Sequence, residues 1–241
     1  MHYGIIGGTG FESPFSPAKE KMIATPYGEA RLIYPEGKPY VFVSRHGANH
    51  DIPPHKVPYR ANIWALKETG VTEVYGISAV GSLKKKYAPD SVVLCDDFLD
   101  FTKTRPHTFY DGDGKFAKHI AMDAPYDTIL NRDFEKAFGE RLPRGVYVAT
   151  EGPRFESRAE IKFYTSIGGD VVGMTNIPEV VLAREVGLHY ANICHVVNYC
   201  TGVSDAMTIR KSEHVRRTIV RAIDDVFTAP RTPRPVHIDF L

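Results

Sequence analysis

Apolar runs and amphipathic segments alternate along most of the chain, and the two patterns predict different elements. Short apolar runs bounded by Gly, Pro or charged residues predict buried strands. These runs are Tyr3–Ile6, Tyr40–Ser44, Val74–Ile77, Val92–Leu94, Val146–Thr150, Val171–Met174 and Ile193–Val197. Segments with apolar residues at helical spacing predict helices. These segments are Tyr59–Glu68, Tyr126–Gly139, a run around Ala159–Tyr164, Ile177–Glu185 and Lys211–Phe227, the last with Val215, Ile219, Ala222, Ile223 and Val226 on one face.

The order of these elements predicts an α/β fold. Helices lie between many of the strands, so a largely parallel or mixed sheet covered by helices follows. Ligands of such proteins gather at the carboxyl edge of the sheet, where strands pass into loops. We expect one domain over residues 1–229 and a Pro-rich tail over residues 230–241, with Pro230–Pro235 extended and weakly ordered. The aromatic segment Phe98–Tyr110 is expected to form a loop.

Composition narrows the class of protein without naming a ligand. The chain has 241 residues, of which 43% are hydrophobic, enough for a sizeable core. Its formal net charge is +1, so bulk charge predicts neither a nucleic-acid nor a membrane partner. Cys95, Cys194 and Cys200 lack CxxC or zinc spacing and are expected to be reduced thiols. The sequence shows no signal peptide and no apolar run of about 18 residues, which predicts a cytoplasmic protein.

The stretch Glu151–Glu185 concentrates candidate chemistry at two strand ends. Gly152 and Pro153 interrupt one predicted strand, and the loop that follows carries Phe155 and Glu156. An aromatic face and a carboxylate suit a flat heterocycle. After the next strand, Thr175 stands at the start of a helix, and a hydroxyl beside helix-start N–H groups suits a phosphate. Each piece alone also fits a structural role, as a surface loop, a core ring or an ordinary helix cap.

Other predicted strand ends carry groups of the same kinds. Gly7–Gly10 forms a Gly-rich turn with a hydroxyl at Thr9, but it lacks the GxGxxG and GK[ST] patterns of dinucleotide and P-loop sites. Arg45 offers a planar fork for phosphate oxygens, although a solvated Arg is the commoner case. The amide of Asn198 can donate and accept, so it can recognise two adjacent atoms of a base edge. Small residues follow Ile77 in the segment 78–82.

A metal site is not predicted. His46, His50 and His55 lie in one loop region, but no Cys, His or carboxylate completes a ligand set. The Asp111–Gly114 turn resembles the start of an EF-hand loop and lacks the closing Glu.

Six motifs occur in order and resemble the purine nucleoside phosphorylase and methylthioadenosine phosphorylase family. They are GIIGGTG (4–10), RHG (45–47), YRANIWAL (59–66), EGPRFE (151–156), GMT (173–175) and PEVVLA (178–183). The resemblance implies a nucleoside phosphorylase-type α/β fold, a twisted mixed sheet with a barrel-like core covered by helices. It implies a pentosyltransferase of purine salvage that works as a homotrimer or a dimer of trimers. It also implies that no metal or organic cofactor is needed, because inorganic phosphate is a co-substrate.

The resemblance also implies roles for individual residues. The implied phosphate contacts are Thr9, Arg45, His46, Ser78, Ala79 and Thr175. The implied substrate contacts are Phe155, Met174, Asn198, Tyr199, Cys200 and Ser212, with His119 reaching the sugar pocket of a neighbouring subunit. Glu156 and Asn198 are the implied catalytic pair at the base. Phosphate attacks C1′ as the base departs, so bound phosphate supplies both nucleophile and negative charge.

The Glu156 and Asn198 pair favours 6-oxopurines. Hypoxanthine and guanine present N1–H, which Glu156 can accept, whereas N1 of adenine is itself an acceptor. Asn198 can donate to O6 and accept from a protonated N7, while an ionised Asp would repel O6. Each unmatched buried polar group costs about 1–3 kcal/mol. A structural alternative for Glu156 is an acid that complements a helix N-terminus.

The sequence leaves more than one alternative for the sugar of the substrate and for the class of reaction. The 5′ position falls near Ser212 or His214, so inosine, guanosine and methylthioinosine all remain open. One rival is a methylthioadenosine phosphorylase that accepts adenine nucleosides. Two others are a binding protein without turnover and a hydrolase of the same fold, which typically carries an Asp where this chain has Asn198.

Overall fold

Strands dominate the part of the chain that the computed structural model describes, namely residues 2–11, 15, 17–112, 119–204, 208–210, 212–232 and 234–238. The strands are β1 (Tyr3–Gly7), β2 (Ala18–Thr25), β3 (Gly28–Pro35), β4 (Tyr40–Ser44), β5 (Glu73–Ser82), β6 (Val92–Phe101), β7 (Arg144–Thr150), β8 (Val171–Gly173) and β9 (His189–Tyr199). The helices are α1 (Tyr59–Glu68), α2 (Thr128–Phe138), α3 (Arg158–Ser166), α4 (Asn176–Glu185) and α5 (Glu213–Thr228), with one 3-10 turn at Pro54–Lys56.

Five of the strands close into a ring. The sheet order is β2-β3-β4-β1-β5-β8-β7-β6-β9. Strand β5 also pairs in parallel with β9, which closes the series β5-β8-β7-β6-β9 into the ring. Strands β1 to β4 extend from this ring through the parallel pairing of β1 with β5. Parallel and antiparallel pairs both occur, so the predicted mixed sheet with a barrel-like core is confirmed.

Two groups of helices cover opposite sides of this sheet. Helices α1 and α4 pack together on one side, and α2 and α5 pack together on the other. The predicted apolar face of α5 is buried at Ile219, Ala222, Ile223 and Val226, and Phe227 stacks on Tyr3 with ring centroids 4.5 Å apart. Of the residues described, no helix combines the length and apolar content needed to cross a bilayer.

The structure corrects several predicted boundaries. Hairpin β2–β3 was not predicted, because β2 is exposed along most of its length and carries alternating charges instead of an apolar run. Strand β6 continues to Phe101, so the start of the predicted Phe98–Tyr110 loop is strand. The predicted exit after Ile77 is also wrong, since residues 78–82 belong to β5. Lys211, the first residue of the predicted last helix, and residues 113–114 of the predicted turn lie outside the described residues.

The Pro-rich tail is anchored, which corrects the expectation of weak order for Arg231 and Arg234. Glu73 is fully buried, and its carboxylate pairs with Arg231 at 2.7 Å and with Arg234 at 3.0 Å. Arg234 also pairs with Asp127, the N-cap of α2, at 2.8 Å. Paired charges explain why a buried Glu is tolerated at the start of β5.

Removing both tail arginines is expected to destabilise the fold. The double substitution Arg231→Ala and Arg234→Ala leaves the buried Glu73 carboxylate without its cations, at a cost of about 3 kcal/mol in the free energy of unfolding. Urea unfolding monitored by circular dichroism measures this loss. The matched control is Arg132→Ala on the exposed side of α2, which should change stability by less than about 0.5 kcal/mol. Equal stability of the two variants would contradict the tail's role.

Candidate active site

A cavity of about 710 Å³ opens where several strands end beside the start of α5. Its size is that of a small-molecule site. Ten of the residues predicted for the site line it, and they are Thr9, His46, Ala79, Phe155, Glu156, Met174, Thr175, Asn198, Cys200 and Ser212. The predicted strand-end groups therefore meet in one place, as expected for the carboxyl edge of an α/β sheet.

The Gly-rich turn after β1 forms one edge of the cavity. A Cβ at Gly8 would lie 2.6 Å from Nη1 of Arg45, so only Gly allows the turn to pack so closely over that guanidinium. Thr9 and Gly10 line the cavity next to it. Arg216 of α5 donates from Nη1 to the carbonyl oxygen of Gly10 at 2.6 Å, which ties the turn to the helix.

Arg45 lies beneath the cavity and does not line it. Its guanidinium is fully buried, and Nε and Nη2 donate to the two carboxylate oxygens of Glu179, each at 2.8 Å. Nη1 donates to the carbonyl oxygen of Ile77 at 2.9 Å. Burial opposes the charged form, but the Glu179 carboxylate outweighs it and raises the pKa of Arg45. The structure therefore gives Arg45 a supporting position under Gly8 and does not bring it to the place of the predicted phosphate contact.

The other predicted phosphate contacts divide into two layers. His46, Ala79 and Thr175 face the cavity. Nδ1 of His46 donates to the carbonyl oxygen of Ile52 at 2.8 Å, which orients the ring. Ser78 is buried behind Thr175, with the two hydroxyl oxygens 3.5 Å apart, and donates to Oδ1 of Asn192 at 3.1 Å. Thr175 directly precedes α4, which has a non-helical residue at Ile177, and the N–H of Thr175 donates to the Tyr147 hydroxyl at 3.2 Å, so Thr175 offers its hydroxyl rather than a helix-start N–H.

Glu156 is held in the cavity by a hydrogen bond from the strand before it. Thr150, the last residue of β7, donates its hydroxyl to Oε1 of Glu156 at 2.7 Å, and Oε2 can accept a further hydrogen bond. Ser157 and Glu160 form a reciprocal capping box that starts α3 directly after Glu156. A hydrogen bond from Arg154 is the main cause that lowers the pKa of Glu160 to about 2.

Asn198 reaches the same cavity because of an irregularity in β9. Val80 pairs with Val196 and Gly81 pairs with Asn198, so Val197 is an extra residue in the ladder. Asn198 is buried and donates from Nδ2 to the carbonyl oxygen of Tyr199 at 2.8 Å. Its amide keeps a second N–H and a carbonyl oxygen with which to contact a ligand.

Of the remaining predicted substrate contacts, Phe155, Met174 and Cys200 line the cavity. Phe155 is 49% exposed at the rim, and Met174 packs against Gly152, whose φ of +64° suits Gly. Burial raises the pKa of the Cys200 thiol, and nearby Glu156 adds to the rise, so this residue stays neutral.

Tyr199 and His119 lie outside the residues that line the cavity. The hydroxyl of Tyr199 donates to the carbonyl oxygen of Lys85, and His119 is exposed. Of the two alternatives for the 5′ position, Ser212 lines the cavity, whereas His214 is exposed on α5.

Arg105 is a site-supporting residue that the sequence analysis missed. It is buried and donates to the carbonyl oxygens of Met174 and Ile177, both at 2.7 Å, and to those of Thr150 and Glu151, at 3.2 and 2.7 Å. It therefore joins the loop that carries Glu156 to the loop that carries Thr175. The signal available in the sequence was an Arg within the aromatic-rich segment Phe98–Tyr110.

Comparisons with known proteins agree with this geometry. A family model described as "Phosphorylase superfamily" matches residues 2–228. A probable 6-oxopurine nucleoside phosphorylase from Dictyoglomus turgidum is 44% identical over 97% of this chain and 93% of that protein. A probable S-methyl-5′-thioinosine phosphorylase from Methanopyrus kandleri is 43% identical over 99% and 89%. A solved double mutant of adenosine/methylthioadenosine phosphorylase from Schistosoma mansoni, in complex with adenine, has a TM-score of 0.84 and 32% identity over 94% of this chain and 89% of that one.

Proposed function

The chain belongs to the phosphorylase superfamily, and from this premise we propose that it cleaves 6-oxopurine nucleosides with inorganic phosphate. The products are the free purine base and ribose 1-phosphate or its methylthio analogue. The observation that carries the proposal is the meeting of Glu156 and Asn198 in the cavity that Thr9, His46 and Thr175 also line. We call the part of the cavity with the Glu156 carboxylate and the Asn198 amide the base end, and the part with the hydroxyls of Thr9 and Thr175 and the ring of His46 the phosphate end.

The base end matches a purine with a carbonyl at its six-position. Thr150 occupies Oε1 of Glu156, so Oε2 is the oxygen that accepts N1–H of hypoxanthine or guanine. Asn198 donates to O6 or accepts from N7–H as the base departs. Adenine would set its N1 lone pair against the Glu156 carboxylate, a mismatch of about 1–3 kcal/mol.

The phosphate end supplies the nucleophile. Held by Thr9, His46 and Thr175, a phosphate dianion attacks C1′ while positive charge develops on the sugar, so its position next to C1′ lowers the barrier. The C1′–N9 bond breaks, its electron pair moves into the purine, and a proton from solvent adds at N7, where the carbonyl oxygen of Asn198 accepts the hydrogen bond of the new N7–H. Arg45 acts from below by fixing the Gly8 turn. The proposed reaction uses no metal or organic cofactor, because phosphate is the second substrate.

A second candidate function is phosphorolysis of methylthioadenosine. The adenine-bound adenosine/methylthioadenosine phosphorylase from Schistosoma mansoni supports it through its similar fold and its activity. In this chain the carboxylate of Glu156 opposes adenine, which favours the 6-oxopurine proposal. The part of the cavity wall near the start of α5 carries both polar and apolar groups, from Ile209, Ser212, Glu213 and Arg216. This wall suits a 5′-hydroxyl as well as a 5′-methylthio group, so inosine, guanosine and methylthioinosine are all candidate substrates.

Assembly into a trimer, alone or as a dimer of trimers, belongs to the same proposal. Phe155 on the cavity is 49% exposed, and Phe163 in α3 and Ile167 at the end of that helix are 51% and 40% exposed. A second subunit seated there would bury them and could bring its own His119 to the sugar. Light scattering behind gel filtration gives the mass, with three or six subunits expected and a monomer contradicting the assembly.

Release of base with and without phosphate tests the proposed reaction. The substrates are inosine, guanosine, methylthioinosine, adenosine and methylthioadenosine, and chromatography measures the free base. We expect base from the three 6-oxopurine nucleosides only when phosphate is present, with sugar 1-phosphate formed in equal amount. Release without phosphate would identify a hydrolase instead, and binding without release would identify a nucleoside-binding protein.

A further inference from the structure

A buried histidine on the cavity wall takes no part in the proposed base and phosphate contacts. His195 lies in β9, three residues before Asn198, and its side chain is 4% exposed. Residues three apart on a regular strand face opposite sides. The extra residue Val197 resets this alternation, so His195 and Asn198 both line the same cavity. At a strand rise of roughly 3.3 Å per residue, His195 stands about 10 Å from Asn198 along the strand.

Asp90 faces this histidine from the turn before β6. Oδ1 of Asp90 lies 3.5 Å from Nε2 of His195, and both atoms are enclosed. Asp90 has a φ of +77°, which a short polar side chain tolerates, and its turn is closed by the N–H of Ser91 donating to the carbonyl oxygen of Ala88 at 2.9 Å. The carboxylate requires the proton of a neutral imidazole to lie on Nε2, which leaves the lone pair on Nδ1.

The electrostatic surroundings keep His195 neutral. Burial lowers the pKa of His195, and Asp90 offsets only part of that effect. Arg210 lies 4.0 Å from the other oxygen of Asp90 and moderates the carboxylate's influence. The other described titratable groups on this cavity are His46, His50, Asp51, Glu156, Cys200, Glu213 and Arg216. At neutral pH the ring is therefore an acceptor toward the cavity and not a cation.

We infer that His195 accepts a hydrogen bond from a hydroxyl of the substrate's sugar, and that Asp90 is the positioning residue that fixes its tautomer. The inference rests on the proposed function. A nucleoside whose base is held by Glu156 and Asn198 extends its sugar along the wall for several ångströms, toward His195. Ala79, which pairs with His195 across the sheet, lines the same stretch of wall. A hydroxyl donor facing a fixed imidazole nitrogen makes this contact selective for sugars that carry that hydroxyl.

A substrate and variant cycle tests the contact. Wild type and His195→Leu are assayed with inosine and with its 2′-deoxy, 3′-deoxy and 5′-deoxy analogues. We expect His195→Leu to lower kcat/KM for inosine on the order of tenfold, and to leave kcat/KM unchanged for the one analogue that lacks the bonded hydroxyl. Hypoxanthine affinity, measured by calorimetry, should match wild type. An equal loss on all four nucleosides, or no loss on any, overturns the inference.

The variant Asp90→Gly distinguishes a positioning role of Asp90 toward His195 from a contribution of Asp90 to folding stability. Gly relieves the positive φ, so the melting temperature should hold or rise. Without the carboxylate, the pKa of His195 falls further. Protonation of His195 removes its acceptor nitrogen, so the decrease of kcat/KM on the acid side should occur at lower pH in the variant than in wild type. Nitrogen NMR of His195 should show the Nε2-protonated tautomer in wild type and a mixture in the variant. An unshifted acid limb with an unchanged tautomer overturns Asp90's role, whereas absence of phosphate-dependent turnover in wild type would instead refute the proposed function.

Discussion

Asn198→Asp is expected to raise turnover of adenine nucleosides relative to inosine by tenfold to a hundredfold. An ionised Asp repels O6 of hypoxanthine and can accept from the six-amino group of adenine, and a protonated Asp can donate to N7. Each reversed hydrogen bond is worth about 1–3 kcal/mol in a buried site. The measurement is kcat/KM for inosine and adenosine at saturating phosphate. Absolute rates should fall on both substrates, because the amide's bond to the carbonyl oxygen of Tyr199 is also lost.

The neighbouring residue supplies a matched control for this change. Tyr199→Phe removes a hydroxyl that bonds the carbonyl oxygen of Lys85 outside the cavity lining. The ratio of inosine to adenosine turnover should therefore equal that of wild type in this variant. An unchanged ratio in Asn198→Asp would mean that residue 198 does not contact the base edge.

Arg105→Ala is expected to cost stability and activity together. The substitution leaves the carbonyl oxygens of Thr150, Glu151, Met174 and Ile177 without their donor. Unsatisfied buried acceptors cost about 1–3 kcal/mol each before relaxation, so we expect a loss on the order of 4 kcal/mol in the free energy of unfolding. The loops that carry Glu156 and Thr175 also separate, which should lower kcat/KM at least about tenfold.

Two controls isolate the forked shape of the Arg105 side chain. Arg105→Lys keeps the charge but cannot span four carbonyl oxygens, so it should recover only part of the stability and activity. Arg154→Ala removes an exposed arginine from the loop that carries Glu156, where its pair with Glu160 is solvated, and should leave stability and activity near those of wild type. Urea unfolding and steady-state kinetics report both quantities. Full recovery by Lys, or an equal loss in Arg154→Ala, would contradict the account of Arg105.

The strands and helices that sequence analysis predicted correctly are those with a strong local pattern. Strand β4 and helix α1 match their predicted bounds. In β4 a continuous apolar run, and in α1 apolar residues at helical spacing, indicate the element from local sequence alone. Strand β2 lies exposed on the hairpin and has no such pattern, so it was missed. The tail ion pairs of Arg234 depend on Glu73, 161 residues away, and no local pattern encodes them.

The candidate site was predicted best where one residue type fits one chemistry at a strand end. Thr9, Glu156, Thr175 and Asn198 all reach the cavity. Arg45 does not, because the sequence could not reveal that Glu179 would occupy its fork. Supporting residues were missed for the same reason, since their partners are backbone atoms or distant side chains. His195 was hidden by a strand irregularity that reverses which face each residue occupies.

Selectivity between matched nucleosides tests the central claim most directly. We would measure kcat/KM at saturating phosphate for inosine against adenosine, and for methylthioinosine against methylthioadenosine, so that only the six-position differs within each pair. Recognition by Glu156 and Asn198 predicts that the 6-oxopurine member is favoured by about a hundredfold in the pair whose sugar the enzyme accepts better. Equal turnover within that pair, or preference for its adenine member, would contradict the account.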